Sequence, residues 1–175
     1  MIKNLFFDTD CMSAFLWVND TSILELLYGG RIVIPDRVYD EFSHPSVPHL
    51  KSRLDLLLSR GMAVKMNIEL TTQEYTIYRR LTSVNKGVKA IGKGEASAIA
   101  LAKCHNGIIA SNNYKDIAMY VKEYGIEHID TGMILIEALN KGVITEEQGN
   151  DIWKRMLKYN RKLPAKTFSE YLNGM

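Results

Sequence analysis

Four acidic side chains stand where an α/β protein collects a polar site. Asp8 and Asp116 each come shortly after an apolar run that predicts a buried strand. Glu41 and Glu95 lie on predicted helices, Glu95 in the first turn of a helix that is apolar on nearly every side. Because open α/β sheets gather their sites at the carboxyl ends of the strands, we expect these acids to lie near one another.

A group of carboxylates is tolerated mainly when a cation lies among them, because like charges repel. Oxygen ligands alone favour a hard ion, Mg²⁺ or Mn²⁺, over zinc. Such an ion activates water and stabilises the charge that develops on a phosphodiester, so no His or Cys nucleophile is needed. The histidines show neither metal-site spacing nor a triad partner. We therefore predict metal-dependent phosphodiester hydrolysis.

Each of these acids also has a purely structural alternative. Asp8 could be a turn residue at a strand end, and Asp10 could share its role. Glu41 could be a solvated helix position, and the helix dipole alone favours Glu95 in a first turn. Asp116 could complete a helix cap. No single acid decides the function.

Basic residues are concentrated in two runs that contain no acid. The first extends from Tyr75 to Gly94, directly before Glu95, and it could hold a polyanion such as RNA beside the acids. The second extends from Lys154 to Lys166, and either run could instead be a solvated face. The predicted RNA-binding residues are Arg79, Arg80, Lys86, Lys89 and Lys93.

Short apolar runs alternate with helical patterns along the chain. Runs at 5–7, 31–35, 62–66, 107–110 and 127–129 predict strands. Asp36 and Thr71 are predicted helix caps, Thr71 forming a capping box with Glu74, and a central helix is predicted to begin at Glu95. This alternation predicts a three-layer α/β/α fold with a central, mostly parallel sheet of four to five strands.

Composition limits the class of protein. A chain of 175 residues with 46% hydrophobic residues predicts a single domain over 1–175, in which residues from about 145 onward form a C-terminal helical extension. A net charge of +2 gives no strong overall field, and two cysteines suggest no disulfide framework. No stretch reaches the roughly 18 apolar residues of a membrane span, so we expect a cytoplasmic protein.

Four motifs resemble those of PIN-domain proteins and occur in that family's order. They are Leu5–Asp10, Ile34–Phe42, Gly94–Ala102 and Ile109–Ile117, and the resemblance extends from Leu5 to about Leu139. It implies a ribonuclease fold that depends on Mg²⁺ or Mn²⁺. Many small prokaryotic members are toxins of toxin–antitoxin pairs, so the resemblance also implies a cognate antitoxin partner, and homodimers are common among such domains.

The resemblance further implies roles for particular side chains. Asp8, Glu41 and Glu95 correspond to the family's first three acids, and Thr9 corresponds to a supporting hydroxyl. Many relatives carry Asp directly after the Ser or Thr of the fourth motif, whereas Ser111 is followed here by two amides. An amide supplies no negative charge, so Asp116 is the predicted fourth ligand. The predicted supporting residues of this motif are Ser111, Asn112 and Asn113.

Two other functions compete with the nuclease. The Asp8-Thr9-Asp10 sequence imitates the paired aspartates of a haloacid-dehalogenase-like phosphatase, although Met12 stands where that family has Thr or Val and a later Gly-Asp-rich motif is missing. The second alternative is a PIN-like domain with a weakened site that binds RNA or a protein without cutting.

Overall fold

A single parallel sheet lies at the centre of the computed structural model, which describes residues 2–84 and 90–174. The strand order is β3-β2-β1-β4-β5, and every neighbouring pair is parallel. The prediction of four to five mostly parallel strands is confirmed. The strands are β1 (Leu5–Phe7), β2 (Ile32–Pro35), β3 (Ala63–Met66), β4 (Ile108–Ala110) and β5 (Glu127–Ile129).

Helices connect the strands and continue beyond the last of them. In the part of the chain that the structure describes, no helix has both the length and the apolar character needed to cross a membrane. The helices are α1 (Thr9–Val18), α2 (Thr21–Tyr28), α3 (Asp36–Phe42), α4 (Pro48–Ser59), α5 (Gln73–Thr82), α6 (Lys93–Cys104), α7 (Tyr114–Tyr124), α8 (Thr131–Asn140), α9 (Glu146–Lys158) and α10 (Phe168–Asn173).

The central strands β1, β2 and β4 are buried on both faces, as expected for parallel strands. Successive side chains of β1 point to opposite faces, so Phe7 packs in one core with α1, α8 and α9, and Phe6 packs in a second core with α6 and α7. Both side chains are fully buried. The predicted three-layer α/β/α arrangement follows from these two cores.

The order of the strands reverses next to β1. The chain first builds β1, β2 and β3 in one direction and then adds β4 and β5 on the other side of β1. In an open α/β sheet, the connections leave a crevice at the carboxyl ends of the two strands on either side of this reversal. The backbone N–H of Asp8 donates to the Ala110 carbonyl at 3.0 Å, which holds the two strand ends together.

The C-terminal helices share the core of α1. Trp153 of α9 is fully buried, and its Nε1 donates to the Ala165 carbonyl at 3.0 Å. Phe168 of α10 is also fully buried and lies 5.9 Å from Trp153 between ring centroids. A Cβ at Gly149 would lie 2.4 Å from the Phe168 ring, so a glycine is needed where α9 and α10 meet.

Four details of the helices differ from the sequence prediction. Thr72, not Thr71, caps α5 by accepting from the Tyr75 N–H at 3.2 Å, because Thr71 adopts a left-handed backbone with φ 73°. Asp36 is the first residue of α3 and not its cap. Helix α6 begins at Lys93, before the predicted start, and α10 is an additional helix that the sequence patterns did not indicate.

Replacing Trp153 tests whether the C-terminal helices belong to the main core. Trp153→Ala should lower the free energy of unfolding by about 3–5 kcal/mol, because it leaves a cavity and removes a buried indole hydrogen bond. Urea denaturation measures the change. Leu26→Ala, at a side chain that is 72% exposed, is the control and should change stability by less than about 0.5 kcal/mol. A Trp153→Ala effect as small as the control would contradict the shared core.

Candidate active site

The Asp8 carboxylate lies at the carboxyl end of the central strand and caps the helix that follows. Its residue has an extended backbone, and its Oδ1 accepts from the Cys11 N–H at 2.7 Å. The side chain is almost completely buried. Among the described residues its Oδ2 has no hydrogen-bond donor. A buried carboxylate oxygen without a donor is costly, and a cation at this place would stabilise it.

Burial changes the protonation of Asp8. It raises the pKa of this carboxyl from 3.8 to about 7, because water is excluded from the charged form. The nearby Ser111 hydroxyl and the Cys11 amide partly oppose the shift, whereas the charges of Asp10 and Glu95 add to it. A divalent cation would reverse this balance, since it favours the ionised carboxylate.

Glu41 is positioned by a hydroxyl and by a glycine. The Thr9 Oγ1 donates to Glu41 Oε2 at 2.6 Å, which ties α3 to the first turn of α1. A Cβ at Gly94 would lie 2.7 Å from Glu41 Oε1 and 3.0 Å from Thr9 Oγ1. The first turn of α6 therefore approaches this pair as closely as only glycine allows.

Glu95 is held by the amide of Asn113. The Asn113 Nδ2 donates to Glu95 Oε1 at 2.8 Å and to Asp116 Oδ2 at 2.9 Å, so one neutral NH₂ group lies between two carboxylates. Burial raises the pKa of Glu95, the Asn113 amide and the Gly92 N–H oppose the shift, and the charges of Asp116 and Asp10 increase it. The amide thus partly compensates the repulsion between these acids.

Three of the four predicted acids line one pocket of about 280 Å³. Asp8, Glu41 and Glu95 face it together with Asp10, which the sequence suggested as a residue that could share the role of Asp8. Asp116 lies outside this pocket and lines the two adjoining ones. The structure therefore brings the first three acids together. The predicted fourth ligand, Asp116, lies beside this pocket and is connected to Glu95 through the Asn113 amide.

The pocket has the donors that a hard divalent ion requires. Its carboxylates come from the start of α1, from α3 and from α6. The Oδ2 of Asp8 has no hydrogen-bond donor among the described residues. Within the described ranges, no three His, Cys, Asp or Glu residues are close enough to count as a preformed metal cluster. The donor set fits Mg²⁺ or Mn²⁺, and the carboxylates would have to close around the ion.

In the fourth motif, the side chains of Asn112 and Ser111 form hydrogen bonds with backbone N–H groups. Asn112 Oδ1 accepts from the Thr131 N–H at 2.9 Å, at the start of α8. The buried Ser111 Oγ accepts from the Asn113 N–H at 3.2 Å, and its carbonyl accepts from His128 Nε2 at 2.7 Å. These bonds fix the loop after β4, and through it the direction of the Asn113 side chain.

None of the basic side chains of the first run lines the pocket in the described residues. Arg80 forms an ion pair with Glu123 of α7 at 2.6 Å, and Arg79 and Lys93 are exposed outside the pocket lining. Lys86 and Lys89 lie outside the residues that the structure describes.

Sequence reasoning missed two features of the site. The first is the need for glycine at position 94, which becomes visible only through the close approach of Glu41, although Gly94 opens one of the four motifs. The second is the turn at Asn160, Arg161 and Lys162, which lines a pocket beside the acids. The signal in the sequence that pointed to this turn was the acid-free run from Lys154 to Lys166.

Comparison with known proteins agrees with this fold. The chain matches a family model described as DUF3368, a PIN domain, over residues 5–175, and it therefore belongs to the PIN-domain family. The predicted resemblance is confirmed. The family match disfavours the haloacid-dehalogenase-like alternative.

Solved structures of other proteins share the fold, and one of them illustrates the likeness. It is the crystal structure of VapBC2 from Rickettsia felis bound to a DNA fragment from their promoter. The TM-score is 0.50 and the sequence identity is 17%, and the match covers 72% of this chain and 97% of that chain. At this identity the likeness supports the fold alone. No curated protein matches this chain.

The raised pKa of Asp8 predicts a pH-dependent stability in the absence of divalent ions. Between pH 3.8 and about 7 the unfolded chain ionises Asp8 and the folded chain does not, so stability is lost as pH rises through this range. We therefore compare the free energies of unfolding of Asp8→Asn and the parent in EDTA. From pH 4 to pH 8, the value for Asp8→Asn should rise relative to that of the parent by up to about 4 kcal/mol. Urea midpoints at several pH values measure the difference, and a difference that does not change with pH would contradict the shift.

Gly94→Ala should separate metal binding from stability. The added methyl displaces the exposed end of Glu41, while alanine is the better helix former by up to about 1 kcal/mol. We expect Mn²⁺ affinity, measured by calorimetry, to fall on the order of tenfold without a loss of stability. Gly92→Ala is the matched control, because its Cβ would lie 3.7 Å from Glu95, an ordinary contact. Equal Mn²⁺ affinity in all three proteins would refute the role of Gly94.

Proposed function

We propose that the protein is an endoribonuclease that hydrolyses RNA phosphodiester bonds with the help of Mg²⁺ or Mn²⁺. The observation that carries this proposal is the convergence of Asp8, Glu41 and Glu95 on one pocket at the point where the strand order reverses. Membership of the PIN-domain family supports it, because PIN-domain proteins are typically nucleases.

Each acid has a defined part in this proposal. Asp8, Glu41 and Glu95 would hold the ion through carboxylate oxygens, and Thr9 would orient Glu41 through its hydrogen bond. When bound, the ion would lower the pKa of the attacking water and neutralise charge on the phosphoryl oxygens. Asp8 would anchor the site, because its Oδ1 accepts from the Cys11 N–H and its buried Oδ2 has no hydrogen-bond donor among the described residues.

The arrangement favours one ion over two. A second ion would have to lie between Glu95 and Asp116, where the Asn113 amide now donates to both carboxylates. That amide supplies hydrogen bonds but no negative charge. We therefore assign Asp116 a supporting role at the edge of the site and give the three pocket acids the role of ligands.

The same amide gives the second candidate function its support. If Asn113 replaces a ligand that cleavage requires, the domain would hold RNA or a protein partner without cutting. This alternative keeps the fold and the pocket and removes only the chemistry. The two candidates differ in one measurable property, which is metal-dependent cleavage of single-stranded RNA.

Charge-deleting substitutions test the nuclease. With Mn²⁺ and a fluorophore–quencher single-stranded RNA, Asp8→Asn, Glu41→Gln and Glu95→Gln should each reduce cleavage to the protein-free background, because each removes a ligand charge. Asp40→Asn is the matched control: it removes an exposed acid next to Glu41, and its rate should stay within about twofold of the parent.

The outcomes separate the competing functions. Cleavage by Asp8→Asn at the parent rate would overturn the assignment of the site. Binding of RNA by the parent without any cutting, with either ion, would favour the binding module. Hydrolysis of p-nitrophenyl phosphate without cleavage of RNA would favour a phosphatase.

The cellular setting is a further part of the proposal and rests on the family alone. A toxin role, a cognate antitoxin, a homodimer and a cytoplasmic location are common properties of small prokaryotic PIN-domain proteins. They remain predictions for this chain, because a structural likeness at 17% identity carries only the fold.

A further inference from the structure

A second pocket, of about 290 Å³, opens directly beside the acidic one. The two share Asp10 and Asn113, so they are adjacent parts of one depression. The far wall of the second pocket comes from the turn after α9, which contributes Asn160, Arg161 and Lys162. We call these three residues the basic turn.

The backbone of the basic turn is fixed by the end of α9. Asn160 adopts a left-handed conformation with φ 57°, and its N–H donates to the Leu157 carbonyl at 2.9 Å. The N–H of Arg161 donates to the Met156 carbonyl at 3.0 Å. This pair of bonds is the Schellman motif, which ends a helix with a defined direction of the following chain. Because α9 is anchored in the core by Trp153, the basic turn has a defined place.

The Arg161 side chain is also held in position. Its Nη1 donates to Ser13 Oγ at 3.0 Å, and Ser13 Oγ donates to the Asp10 carbonyl at 3.0 Å. Its guanidinium lies 5.7 Å from the ring centroid of Trp17. These contacts connect the basic turn to α1, the helix that begins next to Asp8.

The cationic side chains of the basic turn form no ion pair within the part of the chain that the structure describes. Asp10 and Asp116 line the same pocket, yet no carboxylate of the described residues lies within 4.0 Å of a side-chain nitrogen of Arg161 or Lys162. Lys162 is exposed and makes no side-chain hydrogen bond within the described ranges. Elsewhere on the same segment, Arg155 of α9 is paired with Asp20 and Asp151. The basic turn therefore keeps two cations for an external anion.

We propose that the basic turn binds a phosphate of the RNA backbone next to the phosphodiester that is cleaved. This inference rests on the proposed ribonuclease function and assigns the substrate-binding side of the same site. A polyanion is repelled by the pocket acids, and fixed cations beside them offset this repulsion. Arg161 keeps guanidinium N–H groups beyond its bonds to Ser13 and Tyr159 that suit a phosphate, and Lys162 adds an adaptable point charge.

A purely structural role is the competing explanation for Arg161, since its bonds to Ser13 and Tyr159 fasten the turn to α1. Lys162 has no such bonds, so Lys162→Gln changes the charge of the pocket without disturbing the fold. Lys154→Gln and Lys158→Gln are matched controls, because both lysines are exposed on α9 and neither lines the pocket.

The experiment measures binding separately from cleavage. Binding of a fluorescent single-stranded RNA is followed by anisotropy in EDTA, at several salt concentrations, with each lysine substitution placed in the cleavage-inactive Asp8→Asn protein. Lys162→Gln should weaken binding on the order of fivefold and reduce the slope of log Kd against log salt by about 0.7, the loss of one phosphate contact on a single strand. The two controls should keep the slope of the Asp8→Asn protein.

Kinetics provide the second readout. In the otherwise unchanged protein, Lys162→Gln should raise KM for RNA and change kcat by less than about twofold, since the lysine contacts the substrate and not the reacting atoms. Arg161→Lys should keep the salt slope but bind less tightly than the parent, because the charge remains and the fork is lost. A lower melting temperature of Arg161→Gln with an unchanged salt slope would show that Arg161 only fastens the turn.

The outcomes distinguish this inference from the proposed function. If the parent cleaves RNA and Lys162→Gln has the same KM and salt slope, the basic turn does not bind substrate and the nuclease assignment stands. If Lys154→Gln and Lys158→Gln weaken binding as much as Lys162→Gln, the effect is general charge and the inference fails. If the parent neither binds nor cleaves RNA, both proposals fail.

Discussion

The buried carboxylate of Asp8 is the constraint on which the rest of the site depends. One of its oxygens caps α1, and the other is buried without a hydrogen-bond donor among the described residues. The group therefore stabilises the fold and carries an electrostatic cost at the same place. Burial raises its pKa to about 7, so without a cation the fold favours the neutral acid. A buried carboxylate with a raised pKa, at the edge where the strand order reverses, is typical of functional sites.

Close packing is what brings the other acids to Asp8. Helix α6 is lined by alanines and packs between the sheet and α5, which places its first turn deep in the molecule. Gly94 then lets Glu41 and Thr9 approach the helix backbone, and Glu95 follows as the next residue. The carboxylates thus come from elements far apart in the chain, and the small side chains of α6 set the distances between them.

The depression around these acids has two electrostatic halves. The acidic half belongs to the amino-terminal two thirds of the chain, and the basic turn belongs to the C-terminal helices. Trp153 and Phe168 anchor those helices in the core of α1, so the basic turn is as firmly placed as the acids it faces. Asn113 lies between the halves and connects Glu95 with Asp116 through a neutral group. Under the proposed function, this separation of charge suits a polyanionic substrate.

The sequence by itself determined the mostly parallel sheet, because hydrophobic periodicity and turn residues are local properties that neighbouring residues specify. The family followed from the resemblance of four motifs to those of PIN-domain proteins. The sequence also singled out Asp8, Glu41 and Glu95, which the fold brings to one pocket. Tertiary structure alone decided that Asn113 bridges Glu95 and Asp116, that Asn112 serves α8, and that the basic turn faces the acids. It also moved the cap of α5 from Thr71 to Thr72, since either threonine satisfies a local pattern and only the backbone chooses. These features depend on distances between residues far apart in the chain or on one backbone angle, and no local pattern of side-chain types encodes either.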